Sequence, residues 1–263
     1  MLLFWHTAKQ IILKASNFFT NTGHCSTSSA YCMRPPKEVN QLVKTEIRYK
    51  PAFATIFLTL GPGETITAEA GAMTSMDSQL SMRTEFSGGL IPGLLKKFFG
   101  GESLFVNVFS NQTQDPLKLT LTQSTIGDID RIDLNNNEIC FQPGAYIAHT
   151  PGIKMAVQWA GFASFFAGEG LFKLRLSGKG RVFFGAYGGI TKKRISNEFI
   201  VDSGHLVAYE PQIKMKIKLA GGLLGSVTSG EGIVNKLSGQ GDIYLQSRSV
   251  DGLVRYLRPK LRW

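Results

Sequence analysis

Glu102, Glu169 and Glu231 each follow a glycine, in Gly101-Glu102-Ser103-Leu104-Phe105, Gly168-Glu169-Gly170-Leu171-Phe172 and Gly230-Glu231-Gly232-Ile233-Val234. Three carboxylates in one recurring context, brought around an axis, are the kind of oxygen set that binds a cation. Glu64, Glu138 and Glu198 form a second recurring set. The plainer chemistry for both sets is local: a carboxylate that accepts backbone N–H bonds and closes a turn. The sequence favours that plainer reading.

Other chemistry finds little support. Of the four histidines, His6 and His24 precede the patterned part of the chain, and His149 and His205 stand at unrelated places within it. No His-x-His or His-x-x-x-His pair exists to build a metal site. Neither His149 nor His205 has a serine or cysteine in a nucleophile context such as Gly-x-Ser-x-Gly. Gly221-Gly222-Leu223-Leu224-Gly225 is glycine-rich but lacks the Lys-Ser/Thr of a phosphate loop. Cys25, Cys32 and Cys140 are an odd number, which argues against a disulfide framework. Cys25 and Cys32 lack the company of a metal set, and Cys140 alternates with apolar neighbours, as a small core residue does. The expectation is a reducing compartment, no cofactor, no metal and no catalytic constellation, so a non-enzymatic binding or scaffolding protein.

The elements that carry these residues repeat. Gly71, Gly144 and Gly204 each follow a marker glutamate, by seven, six and six residues, and each precedes one Gly-Glu signature. Two markers in fixed order, three times, at near-constant spacing, indicate an internal triplication. Between them run period-two and β-branched stretches, among them Ala54 to Leu60, Leu117 to Thr122, Leu171 to Leu176 and Lys214 to Leu219, which is strand patterning. Asn135-Asn136-Asn137 and Gly178-Lys179-Gly180 read as turns separating strands. A unit of about sixty residues buries too little surface alone. The expected fold is therefore all-β: three tandem β-sandwich-like repeats around a pseudo-threefold axis, at about 46–127, 128–190 and 191–252, with short helical or loop inserts.

Each repeat carries an apolar insert just before its Gly-Glu signature: Leu90 to Phe99, Gly161 to Ala167 and Gly221 to Val227. A threefold axis would gather them at one end. Leu94, Leu95, Lys96, Lys97, Phe98, Phe99, Phe162, Phe165, Phe166, Leu223 and Leu224 are accordingly the expected interaction surface, if the inserts do not instead plug the core.

Residues 1–45 differ from the rest, being apolar and aromatic, then rich in Ser, Thr and Asn. They read as a disordered extension, or the product of a start upstream of Met33, in preference to an organelle-targeting presequence. No stretch after residue 45 is a transmembrane helix by composition. The chain has 29 Lys and Arg against 19 Asp and Glu, a net +10, and Lys192 to Trp263 holds twelve of those cations against six acids. Such a balance suits an anionic partner, a membrane surface before a nucleic acid, and does not speak to fold. Lys173/Arg175 and Lys214/Lys216/Lys218 are the basic strand faces. Exposed aromatics to stack bases are not interleaved on them, and a solvated face is the plainer reading. The tail from Leu253 is basic and amphiphilic.

Glu69-Ala70-Gly71-Ala72-Met73, Gly101-Glu102-Ser103-Leu104-Phe105, Thr150-Pro151-Gly152, Gly168-Glu169-Gly170-Leu171-Phe172 and Gly204-His205-Leu206-Val207-Ala208-Tyr209-Glu210 together resemble the family of altered inheritance of mitochondria protein 24 and its bacterial relatives. The resemblance covers about residues 47–252. It implies three tandem units similar to the subunit of the trp RNA-binding attenuation protein. It also implies no established enzymatic activity and no catalytic residues to carry over. Fungal members are tied to the mitochondrial inner membrane and its cristae-organising complex, so the implied place is mitochondrial in a eukaryote and cytoplasmic in a bacterium. Partners expected on this basis are a protein or a membrane surface, with room for a homo-oligomer. RNA or small-ligand binding, by the basic strand faces or an axial pocket, is the alternative.

Overall fold

The computed structural model describes residues 43–86, 105–142, 144–159, 172–219 and 233–261. The chain divides into Met1–Gln41 and Leu42–Trp263, and every described residue belongs to the second unit. In chain order the strands are β1 (Lys44–Arg48), β2 (Thr55–Leu60), β3 (Thr65–Glu69), β4 (Met73–Met76), β5 (Ser81–Phe86), β6 (Phe105–Ser110), β7 (Leu117–Leu121), β8 (Ile129–Phe141) and β9 (Tyr146–His149). They continue as β10 (Ile153–Trp159), β11 (Phe172–Gly185), β12 (Ile190–Ile195), β13 (Phe199–Asp202), β14 (Leu206–Tyr209), β15 (Lys214–Leu219), β16 (Ile233–Ser238) and β17 (Gly241–Gln246), and helix α1 (Val250–Leu257) follows. The fold is all-β, as its alternating sequence indicates.

Alternation explains the local choices. In β2, Ile56, Leu58 and Leu60 point inward while the threonines and Phe57 point out, and β7 buries Leu117, Leu119 and Leu121. The two strands pair with Leu58 opposite Leu119, so the apolar faces coincide. Each such aliphatic contributes about 1.5–3 kcal/mol by leaving water. Slipping either strand by one residue would turn its whole apolar set to solvent.

The strands form three sheets. One runs β1-β2-β7-β4, and one runs β13-β16-β15. The largest runs β12-β17-β14-β8-β11-β9-β3-β6-β5, with β10 also paired to β11. Three cores lie between them. Ile56, Leu58, Ile66, Phe109, Leu119 and Leu121 form the first, together with Ile147, Ala148 and Phe183 from the middle of the chain. Phe141, Tyr146, Leu176, Val182 and Phe184 form the second, with Val207, Ala208 and Tyr244 joining from the last third. Val201, Leu206, Tyr209, Leu237 and Ile243 form the third, with Cys140 from β8.

Two expected turns are not turns. Asn135-Asn136-Asn137 lies inside β8, and Gly178-Lys179-Gly180 lies inside β11, so the middle of the chain has two long strands where four short ones were expected. The ladder between β8 and β11 absorbs the irregularity as a register shift at Gly178/Lys179. Gly178 has φ +120°, and a Cβ there would stand 2.2 Å from the carbonyl oxygen of Gly152. Glycine thus serves to bend a continuous strand, as in a bulge. After the bend β11 changes neighbours: Phe172–Gly178 pairs with β10, and Val182–Phe184 pairs with β9.

Candidate functional site

The two carboxylate sets fare differently. Glu102, Glu169 and Glu231 lie outside the described residues. In the other set, Glu64 Oε2 accepts the N–H of Gly61 at 2.6 Å and closes the turn before β3, as expected. Glu138 and Glu198 do not cap turns. Glu138 accepts from Nε of Arg175 at 2.9 Å, and Glu198 pairs with Lys236. The hydrogen bond from Lys236 holds the Glu198 carboxyl below its usual range, with Lys218 and Lys216 adding to the effect. The difference follows from spacing. Counted back from the marker glycine, Glu138 and Glu198 stand at six and Glu64 at seven. That one residue puts Glu64 out of phase with the other two along an extended chain of period two. Among the described residues no group of three or more metal-ligating side chains is gathered.

Each marker glycine lies between two strands: Gly71 between β3 and β4, Gly144 between β8 and β9, and Gly204 between β13 and β14. Gly71 and Gly144 have φ of +96° and +77°. Gly204 instead sits in a 3-10 turn capped by Asp202, whose carboxylate accepts its N–H at 3.0 Å.

One pair of buried polar groups lies where β3 and β9 meet. Tyr146 and His149 meet at 2.7 Å between the hydroxyl and Nδ1, and the hydroxyl also reaches the Thr67 carbonyl at 3.2 Å. Burial lowers the His149 pKa to about 4, so the imidazole is neutral at neutral pH. Cys140 is buried opposite Tyr209, and desolvation raises its thiol pKa, which fits a core role. His205 donates from Nδ1 to the Gln246 carbonyl at 2.8 Å and lines an open depression with Tyr187, Ser247, Arg248, Leu253 and Tyr256.

The two basic strand faces also part company. Lys173 donates to the Tyr209 hydroxyl at 3.2 Å and lies over its ring, and Arg175 is held by Glu138. That face is internally satisfied. Lys214, Lys216 and Lys218 are exposed along β15, an edge strand, with no ion pair among the described residues. Alternate positions on a strand share a face, so the three ammonium groups form one row, beside Lys236 opposite Lys216. Met215 packs inward against the third core. On β12, by contrast, Lys192 and Arg194 share Asp242 at 2.8 and 3.3 Å.

The interaction surface expected from the inserts, Leu94, Leu95, Lys96, Lys97, Phe98, Phe99, Phe162, Phe165, Phe166, Leu223 and Leu224, lies wholly outside the described residues. The feature that sequence reading passed over is α1. Its signals were available: Ser249 as N-cap, accepting from Gly252, and apolar residues at helical spacing. Gly252 and Pro259 obscured them. No described helix is long and apolar enough to cross a membrane.

Fold and surface together define an all-β protein of several sheets that presents a cationic edge. The chain belongs to the family described as Mitochondrial biogenesis AIM24, whose model matches residues 45–248. It is 26% identical over 234 residues to an uncharacterised protein of Streptococcus pyogenes serotype M6, covering 84% of this chain and 94% of that one. The crystal structure of a Streptococcus pyogenes protein is similar, with a TM-score of 0.68 and 25% identity, covering 83% of this chain and all of the other.

Proposed function

We propose that this protein is a non-enzymatic binding or scaffolding module, built of three copies of one two-sheet unit about a pseudo-threefold axis, whose third copy docks on an anionic membrane surface. The observation that carries the docking is the row of exposed Lys214, Lys216 and Lys218 on the β15 edge, none of them in an ion pair among the described residues. A row of exposed lysines raises the local concentration of anions without needing a pocket. The compartment follows the host, mitochondrial in a eukaryote and cytoplasmic in a bacterium.

The pairing scheme supports the triplicate reading. β7 lies between β2 and β4, and β6 lies between β3 and β5. β17 lies between β12 and β14, and β16 lies between β13 and β15. In the middle, the two halves of β11 play both central parts, one between β8 and β9 and the other between β8 and β10. Parallel bridges Phe53↔Gly127 and Gly127↔Gly188 join the residues just ahead of β2, β8 and β12.

Sedimentation with vesicles of phosphatidylcholine alone, or with phosphatidylglycerol added, tests the docking. Binding should require the anionic lipid and weaken as salt rises, since exposed charges are screened within about 10 Å at 0.1 M. Lys214→Gln, Lys216→Gln and Lys218→Gln together should abolish most of it. Equal binding to neutral vesicles, or an unaffected triple variant, overturns the reading.

A further inference from the structure

α1 and the turn after it carry an apolar face that the described residues leave partly exposed. Val250, Leu253, Val254, Leu257 and Leu261 are between 37% and 54% exposed. At 3.6 residues per turn these positions form one stripe along the helix. Gly252, by contrast, is held against Ser249, whose hydroxyl accepts its N–H at 3.1 Å. Tyr256, with Leu253, lines the depression beside His205. The helix therefore meets the body through Gly252 and the inner edge of Leu253, Tyr256 stays 62% exposed at the rim, and Val250 and Val254 are the most exposed of the stripe within the helix.

The charges beside that stripe decide its occupant. Arg255, Arg258 and Lys260 flank it, Arg248 precedes it, and Asp251 is the only acid between residues 248 and 261. The Lys260 ammonium lies 4.6 Å from the centre of the Tyr256 ring, so an aromatic and a cation share one border of the stripe. A second copy meeting this face would gather like charges around an apolar seam. Anionic lipid offers the reverse, headgroups for the cations and acyl chains for the stripe. A short helix with an aliphatic face, a cationic flank and an aromatic at the boundary is the pattern of an interfacial helix.

We propose that α1 is a lipid-docking element, lying in the headgroup layer of an anionic bilayer with Val250, Val254 and Leu257 toward the acyl chains and Arg255, Arg258 and Lys260 on phosphates. The proposal rests on the anionic-surface reading above and adds to it a contact that polyanions in solution cannot make. It differs from the lysine row in kind, because its apolar part is insensitive to salt.

The test uses the full chain with Cys25→Ser, Cys32→Ser and Val254→Cys, labelled at Cys with an environment-sensitive fluorophore. Vesicles containing phosphatidylglycerol should shift the emission to the blue, and soluble polyphosphate should not. Emission unchanged on vesicles that the protein demonstrably binds overturns the proposal and leaves the lysine-row reading standing. Emission that shifts with protein concentration, without lipid, overturns it in favour of self-association. In a second arm, Val250→Ser, Val254→Ser and Leu257→Ser together should weaken vesicle binding about tenfold and leave polyphosphate binding unchanged. The lysine triple variant should lose both. Wild-type binding to vesicles by the serine variant also overturns the proposal.

Discussion

Cys140 stands opposite Tyr209 across the junction of β8 with β14, in the relation that Thr67 bears to His149 across the junction of β3 with β9. Thr67 and Cys140 are each four residues before a marker glycine, Gly71 and Gly144. His149 and Tyr209 are each five residues after the next one, Gly144 and Gly204. Under the proposed triplication the same offsets would set Ile200 opposite Met76, on β13 and β4, which are edges of two different sheets with no ladder between them here. Ile200 is 62% exposed.

A variant carrying Met76→Cys and Ile200→Cys, with Cys25 and Cys32 replaced by serine, should form an intramolecular disulfide on mild oxidation. The link requires these two edges to pair as the triplication proposes: directly opposed residues in an antiparallel pair have Cα atoms about 4.5–5.5 Å apart, within the range a disulfide spans. Mass spectrometry of the oxidised monomer reads the link. A chain that stays reduced would remove the proposed threefold rule at this junction.

Acid should loosen the first junction. The folded pKa of His149 is lowered to about 4 from an ordinary 6.5, so the unfolded chain binds the proton more readily. Its neutral burial therefore contributes full stability above pH 6.5, and that contribution is lost as pH falls toward 4. The loss amounts to about 3 kcal/mol at most. Urea midpoints measured from pH 7 down to pH 4 should fall, and His149→Phe should flatten that slope. An unchanged slope in the variant would assign the acid sensitivity elsewhere.

Asn111 should be hard to replace. Its amide nitrogen donates to the carbonyls of Leu60 and Asp115 at 2.8 Å each, and its oxygen accepts from the N–H and hydroxyl of Thr113. The residue is buried, so Asn111→Ala leaves the Leu60 carbonyl without a donor. A loss of about 2–3 kcal/mol in thermal or urea unfolding is expected. A loss under half a kilocalorie, by the same measure of about 0.5 kcal/mol, would mean that water replaces the side chain.

Gly127 should tolerate no side chain. A Cβ there would stand 1.9 Å from the Ala186 carbonyl oxygen and 2.6 Å from the Gly188 nitrogen, both backbone atoms. Gly127→Ala must part the strands that meet at the Phe53, Gly127 and Gly188 bridges. Destabilisation of about 2–4 kcal/mol is expected, against little change for Gly63→Ala's neighbour-free site beyond its φ of +76°. Equal effects of the two substitutions would show that the segments around Gly127 give way to a methyl group at little cost.

Strand content was legible because Ile56/Leu58/Leu60 and Lys214/Lys216/Lys218 alternate without interruption, and period two leaves one reading for such runs. The continuity of β8 and β11 was not, because Asn136 and Gly178 have the composition of turn residues. Only the long ladder between those strands holds them in line. The divergence of Glu64 from Glu138 and Glu198 was visible as a single extra residue before Gly71. Its consequence needed the location of Arg175 and Lys236, which are distant in sequence. The same is true of the basic faces. Lys173 and Arg175 look as free in sequence as the β15 lysines, and only the approach of Tyr209 and Glu138 distinguishes them. The junction registers depend on contacts between remote strands, which local pattern does not encode.

The bend at Gly178 has a mechanical consequence. β11 passes from one neighbour set to the next as unbroken backbone, so its two ends cannot swing apart as they could across a loop. Deuterium should enter the amides of Leu174–Leu176 and Val182–Phe184 late and together, after the edges at β4, β13 and β15 have exchanged.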